Sequence, residues 1–274
     1  MWDLVRGSRH TQGMSTWGDF DPNYRWDLDC GDLDPDAHSE TLRRYHQRLW
    51  SERPLPGRPG EALQLQWHSE GLMDSALGNF FGRDEGLLLS SDSAVPTRWK
   101  WSDTRQLRES DPTLQSRIDA AYWPLYAMGG MILFPRRMIG GQSINQTKGT
   151  TPEIADRFDL TVECIRRYYE SRMAGTDPRE SSPLGDALHR YSEFFDLFSD
   201  FAGYVTFWLL EDLLTSEGRV RFLMEGDIDE YDFQRRSPLP QTVNDYFTYL
   251  DNAEAVVAAR SSRMADEWSR LRPA

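Results

Sequence analysis

The sequence predicts an α+β fold: a mixed sheet drawn mainly from the first half, with a helical second half packed on it. Two observations carry this. Short alternating or continuous apolar runs, bounded by Gly and Pro, fill the stretch from Leu63 to Asn145. From Pro152 onward, apolar residues recur at helical spacing instead. Strands therefore precede helices, the order of an α+β chain and not of a doubly wound parallel sheet.

Residues before Trp17 are polar and without periodicity, and Met14 is an alternative start, so residues 1–18 are expected as a loose extension. Residues 19–274 are expected as one α+β domain. Leu42, Tyr45, Leu49 and Trp50 recur at helical spacing until Pro54, which predicts a first helix over about 37–51. Leu63-Gln64-Leu65-Gln66-Trp67 alternates, and Leu87 to Leu89 and Arg98 to Trp101 read as short strands. A helix near Thr113–Trp123 leads to Met128–Phe134, apolar enough for a buried strand and stopped by Pro135. Gly140-Gly141 then predicts a turn into a second short strand around Gln142–Asn145.

Thr151 can cap, and Pro152 can open, a helix whose stripe is Ile154, Phe158, Val162, Ile165 and Tyr169. Ser182-Pro183 repeats that start signal ahead of Leu184, Leu188, Tyr191, Phe195 and Phe198 on one face. Phe201 to Leu214 is apolar nearly all round, the pattern of a central helix. Val220–Met224 reads as one more strand, and a long amphipathic helix is predicted from about Thr242 to Leu271.

The totals narrow the classes of function. A chain of 274 residues buries about 70–75% of its unfolded surface, ample for a proper core. No apolar run approaches the length of a membrane span, and the start lacks the basic-then-apolar order of a secretory signal, so a cytoplasmic location is expected. A net charge of −13 repels phosphate backbones and argues against nucleic acid as a partner. Cys30 and Cys164 lie far apart and outside any CxxC spacing, so neither a disulfide framework nor a zinc site is expected. His46 and His38 are eight apart, His68 and His189 isolated, and no HExxH occurs. No metal and no cofactor is expected. The acidic run from Asp27 misses the calcium-loop pattern, because His38 stands where its final Glu is needed.

Three stretches carry a resemblance: Gly129-Gly130-Met131-Ile132-Leu133-Phe134-Pro135, Ser143-Ile144-Asn145-Gln146-Thr147-Lys148-Gly149, and the run from Ile154 through Tyr169. With Thr41–His46, Leu89–Ser93 and the helices from Arg190 to Leu213, the chain resembles an uncharacterised bacterial family catalogued only as a domain of unknown function. The resemblance covers residues 20 to 260. Where many members carry Arg before the glycine, this chain has Lys148, which keeps the charge but weakens bidentate contact. The resemblance implies no substrate.

The strongest local candidate for chemistry runs from Phe134 to Arg157. Arg136, Arg137 and Lys148 collect charge beside glycines, Asn145 adds hydrogen-bonding capacity, and the helix expected at Thr151 offers free N–H groups to a phosphate or carboxylate. Lys148 is conspicuous because Lys100 is the only other lysine. The bland alternative is that the glycines make turns and the cations pair with Asp or Glu. The GxxxxGK[ST] spacing of a phosphate loop is absent. On the following helix Asp156, Asp159, Glu163, Arg166 and Glu170 form one stripe opposite the core face, either a solvated face laced with ion pairs or, if it lines a pocket, a source of Glu163 as acid or base. Asp92, at a strand end, is the other candidate acid or base, with Arg98 holding a second charge. Ser90 and Ser91 lack a GxSxG elbow, which argues against a hydrolase triad. Trp99 and Trp101 suit sheet packing better than base stacking in so acidic a chain.

The leading expectation is a protein that binds a small anionic ligand, a nucleotide or phosphorylated metabolite, through Arg136, Arg137, Asn145 and Lys148. Whether it transforms that ligand stays open. A Lys148→Glu exchange should then abolish binding while nearly sparing the fold. The alternative is a non-catalytic interaction or regulatory protein, stress- or phage-related. An exposed apolar stripe on 242–271 would favour a protein partner there, and a pocket gathering the named polar residues would favour the ligand.

Overall fold

The structure is a computed structural model that describes residues 19–25, 30–31, 33–51, 53–68, 71–74, 87–93, 99, 101–136 and 142–271. The expected N-terminal extension, Arg98, Arg137 and Gly140-Gly141 lie outside the described residues. Elements follow as α1 (Pro35–His38), α2 (Glu40–Ser51), β1 (Pro54–Leu55), β2 (Arg58–Ala62), β3 (Leu65–His68), β4 (Gly71–Asp74) and β5 (Leu87–Ser93). Next come α3 (Trp101–Ser110), α4 (Pro112–Leu125), β6 (Met131–Pro135), α5 (Ile144–Thr150), α6 (Phe158–Ala174), α7 (Gly185–His189), α8 (Ser192–Asp196), α9 (Phe201–Trp208) and α10 (Val243–Arg270). The fold is α+β, with small sheets in the first half and a helical second half.

The expected mixed sheet is antiparallel in every described pairing. One sheet runs β3-β4-β5-β6, and β1 and β2 form a separate pair. β4 pairs with only three residues of β5, up to Leu89, whereas β6 pairs along it to Ser93. The edge of β5 beyond Leu89 is thus left unpaired by β4, and the buried carboxylate of Asp36 on α1 covers it, both oxygens accepting from Ser91 N.

Several segments depart from their sequence pattern. Gln142–Asn145 is no strand: Ser143 and Gln146 form a capping box that starts α5. Thr151 does not open the next helix, because its hydroxyl bonds back to Thr147 O and closes α5. Residues 151–157 turn instead, with Ala155 and Asp156 both left-handed (φ 48° and 62°), and α6 starts after Arg157. Trp101 opens α3 and is not in a strand. The apolar run from Phe201 is interrupted at Leu209 (φ 56°), which caps α9 as Leu210 N bonds to Val205 O. Val220 and Phe222 form only isolated bridges.

One contiguous apolar cluster holds these parts together, with Trp50, Trp208 and Trp268 fully enclosed. Helix α10, opened by a Thr242–Asp245 capping box, lies on α4 and on the short helical turn Met128–Gly130. Gly129 permits the approach: an added Cβ would stand 2.1 Å from Val257 O. Ser261 Oγ accepts from Gly129 N at 3.0 Å, so helix and turn are bonded as well as packed. No helix among the described residues is long and apolar enough to cross a membrane.

Candidate functional site

Successive side chains of β5 point to opposite faces, so Ser91 and Asp92 serve different neighbourhoods. Asp92 meets Lys148, whose ammonium is fully buried at the last turn of α5. Lys148 Nζ lies 2.8 Å from Asp92 Oδ2 and 2.5 Å from Asp156 Oδ1. The left-handed pair Ala155-Asp156 aims the second carboxylate inward, and Trp99 Nε1 fixes it by donating to Ala155 O at 2.9 Å. Burial pulls the Lys148 pKa down, but the two carboxylates outweigh it and hold the ammonium charged. The bland reading of this cation, pairing with Asp, is what the geometry shows. Charge reversal at Lys148 would gather three carboxylates around one buried point, so it would not spare the fold.

On the other face, Ser91 Oγ lies 3.1 Å from His46 Nε2, with Asp36 adjoining. The wiring is wrong for a hydrolase. Trp50 Nε1 donates to His46 Nδ1 at 2.9 Å, so the imidazole proton sits on Nε2 and is given to Ser91. A general base needs that nitrogen free. Burial, aided by the charge of Arg260, lowers the His46 pKa to about 3, and burial raises that of Asp36 to about 6 against the pull of its Ser91 bonds.

Glu163 is not on a solvated face. It is buried and chelates Arg166 (Nε to Oε2, 2.8 Å) and Arg167 (Nε to Oε1, 2.7 Å). Asp159 is buried too, bonded by Arg157 and by Leu223 N at 2.8 Å, because the segment around 222–238 covers this side of α6. The expected stripe is solvated only in part: Asp156 is half-buried and Glu170 exposed. Arg136 extends the ladder through its N–H to Leu88 O, and its charge acts on Asp36. Asn145 stands in the first turn of α5, its Oδ1 enclosed without a partner. Of the candidate residues, then, Asp92 and Lys148 meet, Arg136 sits by Asp36, and Glu163 is elsewhere. Arg98 and Arg137 lie outside the described residues.

A cleft of about 960 Å³ opens where four separate segments meet, 151–153, Arg167, 180–183 and 230–234. Glu153, Glu180, Glu230 and Asp232 rim it, all exposed. Among the described residues its one lining cation is Arg167, which is held by Glu163, donates to Tyr231 O at 2.6 Å, and stacks 4.9 Å from the centre of the Phe233 ring. None of Asp92, Arg136, Asn145 or Lys148 lines it. Sequence reading missed the cleft because its walls are distant in the chain; the one local signal was the acidic run Asp227 to Asp232. Among the described residues, no group of three or more His, Cys, Asp or Glu is placed to hold a metal, and the exposed large hydrophobics are Leu33 and Met173, so α10 shows no apolar stripe.

Residues 19–264 match the model of a family described as Family of unknown function (DUF6994). The chain belongs to this family. No curated protein and no solved structure matches it. The DUF6994 match spans both the Lys148 cluster and the acidic cleft, and stops inside α10. The stretches that carry the resemblance in this DUF6994 member serve the architecture. Gly129-Gly130 receives α10, Ser143–Gly149 supplies a cap and the buried lysine, and Ile154–Tyr169 supplies the left-handed turn and the chelating carboxylates.

Proposed function

We propose that this chain is a non-catalytic interaction protein whose acidic cleft takes a cationic partner, an exposed segment of another protein bearing Arg or Lys. The supporting observation is the rim of four exposed carboxylates, which among the described residues faces a single, already engaged guanidinium. Phe233 adds an aromatic floor that already stacks one guanidinium. The net charge of −13 reinforces steering of a cation toward the cleft. The rival reading is a small anion at Arg136, Arg137, Asn145 and Lys148, with Glu163 or Asp92 as acid or base and Arg98 as a further cation. It requires Lys148 to leave two carboxylates and Glu163 to leave two arginines.

The test is fluorescence anisotropy with a labelled tetra-arginine peptide at low and physiological salt. Binding is expected at low salt and should fall as screening sets in. It should weaken by roughly tenfold or more in a triple reversal of Glu180, Glu230 and Asp232 to Lys, about 1.4 kcal/mol. A triple reversal of the remote exposed Glu40, Asp103 and Asp266 should have far less effect. Equal losses in the two triple variants, or no binding at low salt, would refute the proposal, and a competing hit with ATP or a sugar phosphate would revive the anion reading.

A further inference from the structure

From Leu214 to Thr242 every residue is described, and the segment forms no helix and no strand beyond isolated bridges. Its order must therefore come from side chains that reach it and not from a backbone ladder. Arg157, fully buried just ahead of α6, reaches it at two places. Its Nη1 donates to Glu225 Oε1 at 3.0 Å and to Pro238 O at 3.2 Å, and its Nη2 to Glu225 Oε2 at 2.7 Å. One nitrogen thus joins both flanks of residues 226–237, which close on themselves as an Ω-loop does.

Neutralising Arg157 does not by itself call for this arrangement. Asp159 already supplies a whole carboxylate, its Oδ1 accepting from Arg157 Nε at 3.1 Å and its Oδ2 from Nη2 at 2.5 Å. Glu225 is a second carboxylate on the same cation, and it comes from the base of the loop. Burial pulls the Arg157 pKa down, but the two carboxylates outweigh it and hold the guanidinium charged. A planar fork of five N–H groups can serve both carboxylates and a carbonyl at once, which a point-like ammonium cannot. The middle of the loop is drawn to the same group: the Tyr231 ring centre lies 5.7 Å from Arg157 Cζ, and the Tyr231 hydroxyl donates to Ser237 O at 3.0 Å. Glu230, Asp232 and Phe233, which line the cleft, flank that tyrosine.

We propose that Arg157 is the positioning residue of the acidic cleft: by clasping Glu225 and Pro238 it locks the loop 226–237 in the arrangement that places Glu230, Asp232 and Phe233 on the cleft wall. A cationic partner then meets a wall that is already ordered, and ordering beforehand is what raises affinity without any added contact. The inference rests on the cleft reading above, but neither Arg157 nor Glu225 lines the cleft, so both act on a partner only through the loop.

Amide hydrogen exchange and tetra-arginine anisotropy on the full chain test this with two variants. Glu225→Gln leaves Arg157 neutralised by Asp159 and should fold; Arg157→Lys keeps the charge and removes the fork. In each, amides of 226–237 should exchange faster by roughly tenfold or more, the worth of a lost charge-assisted bond, while those of β6 and α10 keep their protection. Peptide affinity should fall by about threefold or more, and equally at low and physiological salt, because the rim carboxylates are untouched. Unchanged loop exchange in Glu225→Gln overturns the clasp whether or not Arg157→Lys folds. A faster loop with undiminished affinity, or a loss confined to low salt, overturns the positioning role while leaving the cleft reading in place. A wild type that binds no peptide overturns the cleft reading and this role with it, and the exchange data then still decide the clasp.

Discussion

Lys148 and Arg260 are both buried cations with opposite surroundings. Lys148 is flanked by two carboxylates, whereas Arg260 is tied to three carbonyls. The sequence marks Lys148 as unusual but not its partners, because Asp156 reaches it only through a left-handed turn that no local pattern announces. Asp36 and His46, which flank Ser91, titrate in opposite senses. Asp36 is raised from 3.8 to about 6, so its stabilising contribution is complete below 3.8 and is lost as pH rises through 6. His46 is lowered from 6.5 to about 3, so its contribution is complete above 6.5 and is lost as pH falls toward 3. The full shifts correspond to about 3 and 5 kcal/mol, in that order. Between pH 6 and 4 the two oppose each other. Urea unfolding at pH 7 and pH 4.5 should therefore show Asp36→Asn losing more stability on acidification than the wild type, and His46→Gln losing less. Identical pH slopes in all three proteins would remove both groups from the account.

Among elements, those announced by caps were the most legible. Thr242 and Asp245 open α10 where the pattern put it, and Asp111-Pro112 opens α4 within a residue of the expected start. Helix α5 was missed because Ile144-Asn145-Gln146-Thr147 is short and has too little apolar spacing to show a period, so its start is set by the Ser143 cap alone. The glycines of the two motifs should respond in opposite directions to the same change. Gly129→Ala drives a methyl onto the Val257 carbonyl at 2.1 Å, a backbone atom that cannot rotate away, and should cost roughly 3 kcal/mol. Gly149→Ala meets nothing closer than 3.8 Å inside a helix and should gain about 0.5–1 kcal/mol. Denaturant midpoints of the two variants decide the matter, and shifts of equal sign would contradict the docking described for α10.

At the scale of the whole molecule, the order of strands before helices was legible because side-chain period survives in the sequence. The candidate site was not, since Arg167, Glu180 and Glu230 become neighbours only when α6 and the 220–240 segment meet. Closure of the core likewise depends on distant parts. Tyr246, Tyr249, Leu250, Val257, Met264 and Trp268 on α10 are all buried against elements that precede them by more than a hundred residues in several places. A chain ended at residue 241 should accordingly lose its cooperative urea transition and its near-ultraviolet signal; a retained sharp transition would mean that the earlier elements close without α10.

The same dependence has a temporal side. During synthesis at about 5–20 residues per second, the turn at Gly129 leaves the ribosome several seconds before the helix that covers it. Over that interval the nascent chain carries its half-built core uncovered. Chaperone demand should therefore concentrate on the window between the appearance of β6 and that of α10.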